Sequence, residues 1–381
     1  MTNQSNTRLL SLDAFRGFTV AGMLLVNNPG DWGAIYKPFE HADWNGCTFA
    51  DLIFPFFLFI SGISITYALG SKKETVQEHL PLIKKIFKRS AILFGLGLVL
   101  AFIPYIFQDP VKAVQTFRIP GILQRIALVY FACALLFLKT NWKQQLYIFI
   151  ALLIGYWVIM TLVPVPGYGA ANLDKETNIG AWIDRLILTE NHLWIYSKTW
   201  DPEGILGTFP SIATGISGLL TGSLLRNQNI PERKKILCIL IAGFVVHLIG
   251  KALEPAFPIN KSLWTSTFVL YTSGFAMMVF SAFYWVIDMK GFRAWSIPLL
   301  AYGTNAITAF FTSMLAAKIL NVVKVTKADG GDTNLKGWIY QSFFSPYLSA
   351  YNASFAFSVS FVLVWLTFLW WMYHKKIIIK I

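Results

Sequence analysis

The residues best suited to chemistry gather between Arg8 and Ser64. His41 lies ten positions before Asp51, and Asn27 closes the apolar run that precedes both. A neutral imidazole titrates near pH ~6.5 and exchanges a proton in the physiological range, so His41 is the strongest general base in the chain. Asp51 opens a long apolar segment, where a carboxylate either caps a helix and meets its dipole or holds the His41 imidazole in place. An equally simple reading leaves His41 as a loop histidine bonded to Glu40 or Asp43. Of the other histidines, His79 sits in a basic loop, His374 flanks the last apolar run and His247 lies within one. His192, in Glu190-Asn191-His192-Leu193-Trp194, is the rival base.

Other polar groups stand where apolar sequence surrounds them. Arg125 ends the run Arg118-Ile119-Pro120-Gly121-Ile122-Leu123-Gln124-Arg125 inside a membrane-length segment, and arginine at that depth costs on the order of 3 kcal/mol unless paired or wet. A bound phosphate or carboxylate, a structural carboxylate pair, or helix-end carbonyls would each satisfy it. Asp201-Pro202-Glu203-Gly204 sets two carboxylates at a helix mouth. They suit a cationic amine or sugar hydroxyls, although Pro and Gly there also suit a plain helix start. Asn305 and the run Trp264-Thr265-Ser266-Thr267 are polar groups at membrane depth, with interhelical hydrogen bonding as the simplest role, and Gly218-x-x-x-Gly222 marks a close-packing face. There is no Walker A loop, no G-x-G-x-x-G after a strand, no G-x-S-x-G elbow and no H-E-x-x-H, which sets aside ATPase, hydrolase and zinc-protease readings. Cys47, Cys133 and Cys238 are too scattered for a disulfide framework or a C-x-x-C metal site, and no metal is expected.

The elements that must position these residues are membrane helices. Of 381 residues, 55% are hydrophobic and only 13% charged, about half the roughly 25% charged of soluble domains, and the mean hydropathy is +0.55. A span needs about 20 largely apolar residues. Ten runs qualify, near 12–28, 49–70, 86–107, 119–138, 145–163, 204–225, 236–253, 263–287, 295–320 and 354–373. Asn27-Asn28-Pro29-Gly30-Asp31 follows the first run in place of a small-residue cleavage site, so that run is expected to be retained and not removed as a signal peptide. The expected fold is all-α, a polytopic membrane bundle of about ten helices forming one domain over 1–381, with both termini cytoplasmic.

Charge placement agrees. With the N-terminus inside, 19 of the 32 Lys and Arg fall inside and 12 outside, while acidic residues divide 5 to 14 the other way. The net charge of +13 is therefore a topology signal, and nucleic acid is not an expected partner. The loops 29–48, 164–203 and 321–353, expected outside, are long and rich in Trp, Gly, Pro, Asn and Asp. Such loops point to a structured site on that face. No internal repeat suggests an inverted-repeat transporter.

The run Ser11-Leu12-Asp13-Ala14-Phe15-Arg16-Gly17, then Val26-Asn27, then His41-Ala42-Asp43-Trp44-Asn45-Gly46 and Ala50-Asp51-Leu52-Ile53-Phe54-Pro55 resembles the transmembrane acetyltransferase family of lysosomal heparan-α-glucosaminide N-acetyltransferase and its bacterial relatives. The Arg118–Arg125 run, Glu190-Asn191-His192-Leu193, Asp201-Pro202-Glu203-Gly204 and Trp264-Thr265-Ser266-Thr267-Phe268-Val269-Leu270-Tyr271 look like further family segments in the same order, so the resemblance reaches from about residue 8 to 310. It implies transfer of the acetyl group of acetyl-CoA, held from the cytoplasmic side, to the amine of a glucosamine-type sugar or glycan on the other side. The family's active-site histidine falls on His41, its asparagine on Asn27 and its aspartate on Asp51. Lysosomal members carry a further N-terminal lumenal region and span that this sequence does not include, which leaves the polymer acceptor open.

On that resemblance, His41 is the general base toward the amine, Asn27 donates to the developing oxyanion and Asp51 orients the imidazole. A covalent acetyl-His41 route is the chemical alternative. Trp44, Asn45, Asp201, Glu203, His192 and Asn305 are expected to meet the acceptor, and Arg16, Arg125, Gln124 and Trp264 the donor. The expected setting is a bacterial cytoplasmic (inner) membrane with the His41 loop on the periplasmic or outer side. A homodimer is credible from the packing glycines. The alternatives are an O-acyltransferase of an exported or cell-wall glycan and an amino-sugar transporter, and consumption of the thioester separates these from one another.

Overall fold

A computed structural model describes residues 9–75, 78–106, 109–326 and 330–379. In chain order the helices are α1 (Leu10–Val26), α2 (Phe49–Thr75), α3 (Leu80–Ile106), α4 (Pro110–Thr116), α5 (Ile122–Lys139), α6 (Trp142–Leu162), α7 (Ile179–Leu188), α8 (Thr208–Arg226), α9 (Glu232–Ala252), α10 (Ser266–Phe283), α11 (Ile297–Thr304), α12 (Ala306–Val322), α13 (Leu335–Phe343) and α14 (Ala350–His374). One small antiparallel hairpin, β1 (Lys324–Thr326) with β2 (Asp332–Asn334), lies before α13. The fold is an all-α polytopic bundle, as its composition requires: in lipid a chain satisfies its backbone polar groups within helices.

Among the described residues, seven helices are long and apolar enough to cross a membrane: α2, α3, α5, α6, α9, α14 and α10, whose last turn continues to Met289 as a π-helix. The pair α11 and α12 forms an eighth, bent by 72°. The remaining two expected spans are also helical. They are α1, of 17 residues, and α8, of 19 residues rich in Ser, Thr and Gly, and both are largely buried inside the bundle.

Two expectations need correction. The run 295–320 is not one straight span: Asn305 leaves helical geometry at φ −121° and ψ 39°. Its side-chain amide is engaged by the C-terminal tail, donating to the Ile377 carbonyl and accepting from the Ile379 N–H, both at 2.9 Å. An amide side chain that bonds backbone elsewhere favours a break over a continuous helix. Second, the packing glycines are used inside the chain. A Cβ on Gly218 would lie 2.0 Å from the Phe59 carbonyl oxygen, and one on Gly62 would lie 2.1 Å from that of Gly215. The α8 stripe thus seats α8 on α2 and is not a free dimer face.

The loops expected on one side meet at one end of the bundle. The Gly30 N–H donates to the Ser354 carbonyl, the Trp44 indole to Leu173, Gly46 to Ile259 and Ile119 to His192. At the opposite end Lys73 Nζ donates to the carbonyls of Phe137 and Thr140, Ser11 N–H donates to Asp288, and the tail lies on Asn305. Both described chain ends lie there.

Candidate active site

Thr48 and Asp51 open α2 together. The Asp51 N–H donates to the Thr48 carbonyl, and Asp51 Oδ2 in return accepts from the Thr48 N–H and hydroxyl, each at 3.1 Å. That exchange closes the helix start in the manner of a capping box. Oδ2 also accepts from the Ala42 N–H at 3.1 Å, which draws the loop back over the helix. The second oxygen, Oδ1, faces the imidazole: His41 Nδ1 lies 2.8 Å away. Asp51 thus contacts the helix start and loop through Oδ2 and the imidazole through Oδ1.

The Asp51 side chain is 1% exposed and that of His41 41%, so the carboxylate is shielded while the imidazole remains within reach of a substrate. The Nδ1 contact with Asp51 assigns the ring proton to Nδ1 and leaves the lone pair on Nε2. A third group completes the arrangement. Lys261 Nζ lies 3.2 Å from Asp51 Oδ1, 3.1 Å from His41 Nδ1 and 3.5 Å from Nε2. Partial burial and the Lys261 ammonium together lower the imidazole pKa from its ordinary value, against Asp51 and Glu203, which raise it.

Lys261 sits on a firmly held loop. Asn260 is fully buried, and its carbonyl and side chain bond Thr265 N–H and Leu263 N–H. Its amide also donates to Asn45 Oδ1 at 3.2 Å, beside the Gly46 to Ile259 bond of 2.7 Å. The loop therefore locks onto the His41 segment. Trp264, at φ 54° and buried, is held in the left-handed region that a bulky side chain rarely adopts.

Next to this group lies a charged cluster. Arg118 donates to both oxygens of Asp201, at 2.8 and 2.5 Å, and to Glu203. Glu203 is deeply buried, which opposes ionisation, yet the guanidiniums of Arg118 and Arg125 hold its carboxyl below the usual range. These carboxylates are already paired with an arginine, so they are not free anions awaiting an amine. Burial pushes the nearby Asp184 up to about 7; its Oδ1 accepts from the Ile205 N–H at 2.8 Å. His192 Nδ1 meets the Phe117 carbonyl at 2.8 Å and supports the Arg118 segment. Trp44 packs edge-on against Trp200, with ring centroids 5.2 Å apart.

Toward the opposite end lies a cavity of about 400 Å³ between α1, α2, α3, α5 and the α11–α12 break. Arg16 and Arg89 line it with Ser61, Ser64 and Tyr130, and Ile378 and Ile379 of the tail form part of its wall. Arg16 is fixed by Ser64 Oγ at 2.8 Å and Asp13 at 2.9 Å, and Arg89 lies over the Tyr130 ring, 4.8 Å from its centroid. Two guanidiniums beside hydroxyls and apolar walls fit a ligand with phosphates and a flexible apolar arm.

Placement corrects several expectations. Arg125 does not share this cavity with Arg16. It is buried at the His41 end, donates to the carbonyls of Pro202 and Gly204 at 3.1 and 2.8 Å, and stacks on Trp264. Gln124 bonds the Ile119 carbonyl and Trp264 bonds Thr214, so neither lines the cavity. Asn305, expected near the acceptor, lies instead at the far end with the tail. Asn27 ends α1 on the His41 side, and among the described residues no hydrogen bond joins its side chain to His41. The sequence reading passed over Lys261, Arg118 and Arg89. Arg118 stood within a quoted motif, whereas Lys261 reads as an ordinary loop charge and Arg89 as one of a basic cluster.

The sequence model of the family described as heparan-alpha-glucosaminide N-acetyltransferase, catalytic, matches residues 8–251. Heparan-alpha-glucosaminide N-acetyltransferase of Homo sapiens is 33% identical over 354 residues, which cover 80% of this chain and 52% of that protein. The Mus musculus protein of the same name is 32% identical over 358 residues, covering 80% and 53%. The chain thus spans about half the length of the curated relatives it matches.

Proposed function

The chain belongs to the heparan-alpha-glucosaminide N-acetyltransferase family, and from that premise we propose that it is a membrane-embedded acetyltransferase. It takes the acetyl group of acetyl-CoA from the face bearing the arginine cavity to the amine of a glucosamine-type sugar at the His41 face. The observation that carries this reading is the span of α2. Asp51, holding His41, stands at its first turn, and Ser61 and Ser64 of the cavity lie further along it. Asp51 and Ser64 are thirteen residues apart, about 20 Å at ~1.5 Å per residue. One helix therefore links an anion-binding recess to a general base over a distance that an extended thiol-bearing arm can cross.

Acetyl-CoA, when bound, supplies a thioester carbonyl open to attack by an amine. Arg16 and Arg89 are the groups for its phosphates. His41 Nε2 takes the proton that the amine loses as the N–C bond forms, and returns it to the sulfur as the C–S bond breaks. Asp51 keeps Nε2 as the free nitrogen by holding Nδ1. Asn27, at the end of α1, is the amide suited to the oxyanion. In this reading the helices beyond residue 251 belong to the same single unit, since α11 and α14 pack on α1. The His41 end faces the periplasmic or outer side of a bacterial inner membrane, where the basic residues of the other end stay inside.

The test is release of free CoA thiol from acetyl-CoA by the purified full chain in detergent, with and without glucosamine. Glucosamine-dependent release that falls at least 100-fold in His41→Ala is expected. Release that needs a hydroxyl acceptor would make the protein an O-acyltransferase. Folded protein that leaves the thioester intact would overturn the reading.

A further inference from the structure

We infer that Lys261 is a positioning residue that keeps the His41 imidazole uncharged and turned with Nδ1 on Asp51, so that Nε2 remains a free base on the acid side of neutrality. The inference rests on the reading of His41 as the general base and adds a residue to it. Its ground is geometric. A histidine beside a shielded carboxylate, alone, would gain a proton readily, because the imidazolium and Asp51 would attract each other at 2.8 Å. Lys261 removes that incentive. Its ammonium shares Asp51 Oδ1 at 3.2 Å and stands 3.1 and 3.5 Å from the two ring nitrogens. A proton on Nε2 would create a second cation against the first.

The groups facing His41 come from three elements: Asp51 from the start of α2, Lys261 from the loop between α9 and α10, and Glu203 from the loop before α8. Glu203 is bound to Arg118, and Lys261 is a further, weaker cation acting on it. Asp51 already accepts three donors on Oδ2, so one carboxylate charge is shared between cap, imidazole and ammonium. The Lys261 side chain is only 19% exposed, and the fully buried Asn260 with its bond to Asn45 fixes the stem. The ammonium is therefore held in place and does not depend on a chance contact of a flexible side chain.

The experiment reads His41 directly and then the reaction. The chain has five histidines, so an imidazole-labelled sample in nanodiscs gives few resonances, and His41→Ala identifies the one in question. Lys261→Met is expected to raise the His41 pKa by about one unit. Lys261→Gln, which retains a donor for Asp51, is expected to do the same, while Lys261→Arg keeps it near the wild-type value. The acid limb of kcat/KM for glucosamine acetylation moves by the same amount in the same variants. The substrate amine titrates identically with each protein and cancels from the comparison. An unchanged or lowered His41 pKa in Lys261→Met and Lys261→Gln, with melting curves that show folded protein, overturns the inference. A loss of rate equal at every pH does so too, since it would mark a merely structural lysine. Absence of acetyl transfer in the wild type overturns the proposed function and leaves the resonance shifts to decide the role of Lys261.

Discussion

Asp184 links the stability of the fold to pH, whatever the reaction. Burial raises its carboxyl from an ordinary 3.8 to about 7, so the folded protein holds this proton more tightly than the unfolded chain. Between about pH 4 and pH 7 unfolding releases it, and stability falls as pH rises across that window before levelling off. Asp184→Asn keeps an acceptor for the Ile205 N–H and removes the titration. Its melting midpoint relative to wild type is expected to increase steadily from pH 4.5 to pH 8, and a constant difference would refute the assignment. At the same scale, the pairing of His41 with a carboxylate was legible from residue types and spacing, although Asp51 competed there with Glu40 and Asp43. Lys261 was not legible, because 220 residues separate it from His41 and only the fold of the Asn260 loop brings them together. Arg125 misled for a related reason: a buried arginine demands partners, but sequence does not say whether they are phosphates or the carbonyls of Pro202 and Gly204.

Among the elements, α2 and α8 approach each other through glycines. Gly62 and Gly218 bring the two backbones together so closely that a Cβ at 218 would stand 2.0 Å from the Phe59 carbonyl oxygen. That atom is backbone and cannot rotate away. Gly218→Leu therefore separates the helices or distorts α2, at a cost on the order of 3 kcal/mol. The expected result is a melting midpoint several degrees lower and loss of transfer activity, because α2 carries both Asp51 and the cavity serines. A variant with wild-type melting and activity would contradict this packing. The ten apolar runs each became helices because membrane-length apolar composition fixes that outcome locally. Their irregularities were hidden. The break at Asn305 depends on Ile377, 72 positions later, and no local pattern at 295–320 announces it.

For the whole molecule, the proposed function assigns the two ends different work, and the tail walls one of them. Asn305 pairs with the Ile377 carbonyl and the Ile379 N–H like one rung of a sheet, and Ile378 and Ile379 then wall the cavity that holds Arg16 and Arg89. Ending the chain at Lys376 removes that wall and frees the Asn305 amide, yet it touches none of the residues around His41. If the cavity is the donor site, the truncated protein has a KM for acetyl-CoA raised about fivefold, equivalent to ~1 kcal/mol, while the KM for glucosamine stays unchanged. Asn305→Ala, which loosens the tail without deleting it, moves the same constant in the same direction by a smaller factor. Equal changes in both constants would mean that the tail acts on the bundle as a whole. A change confined to the sugar would place the donor at the wrong end. The proposed division between ends thus predicts a kinetic signature: a structural change at one face is read out in one substrate alone.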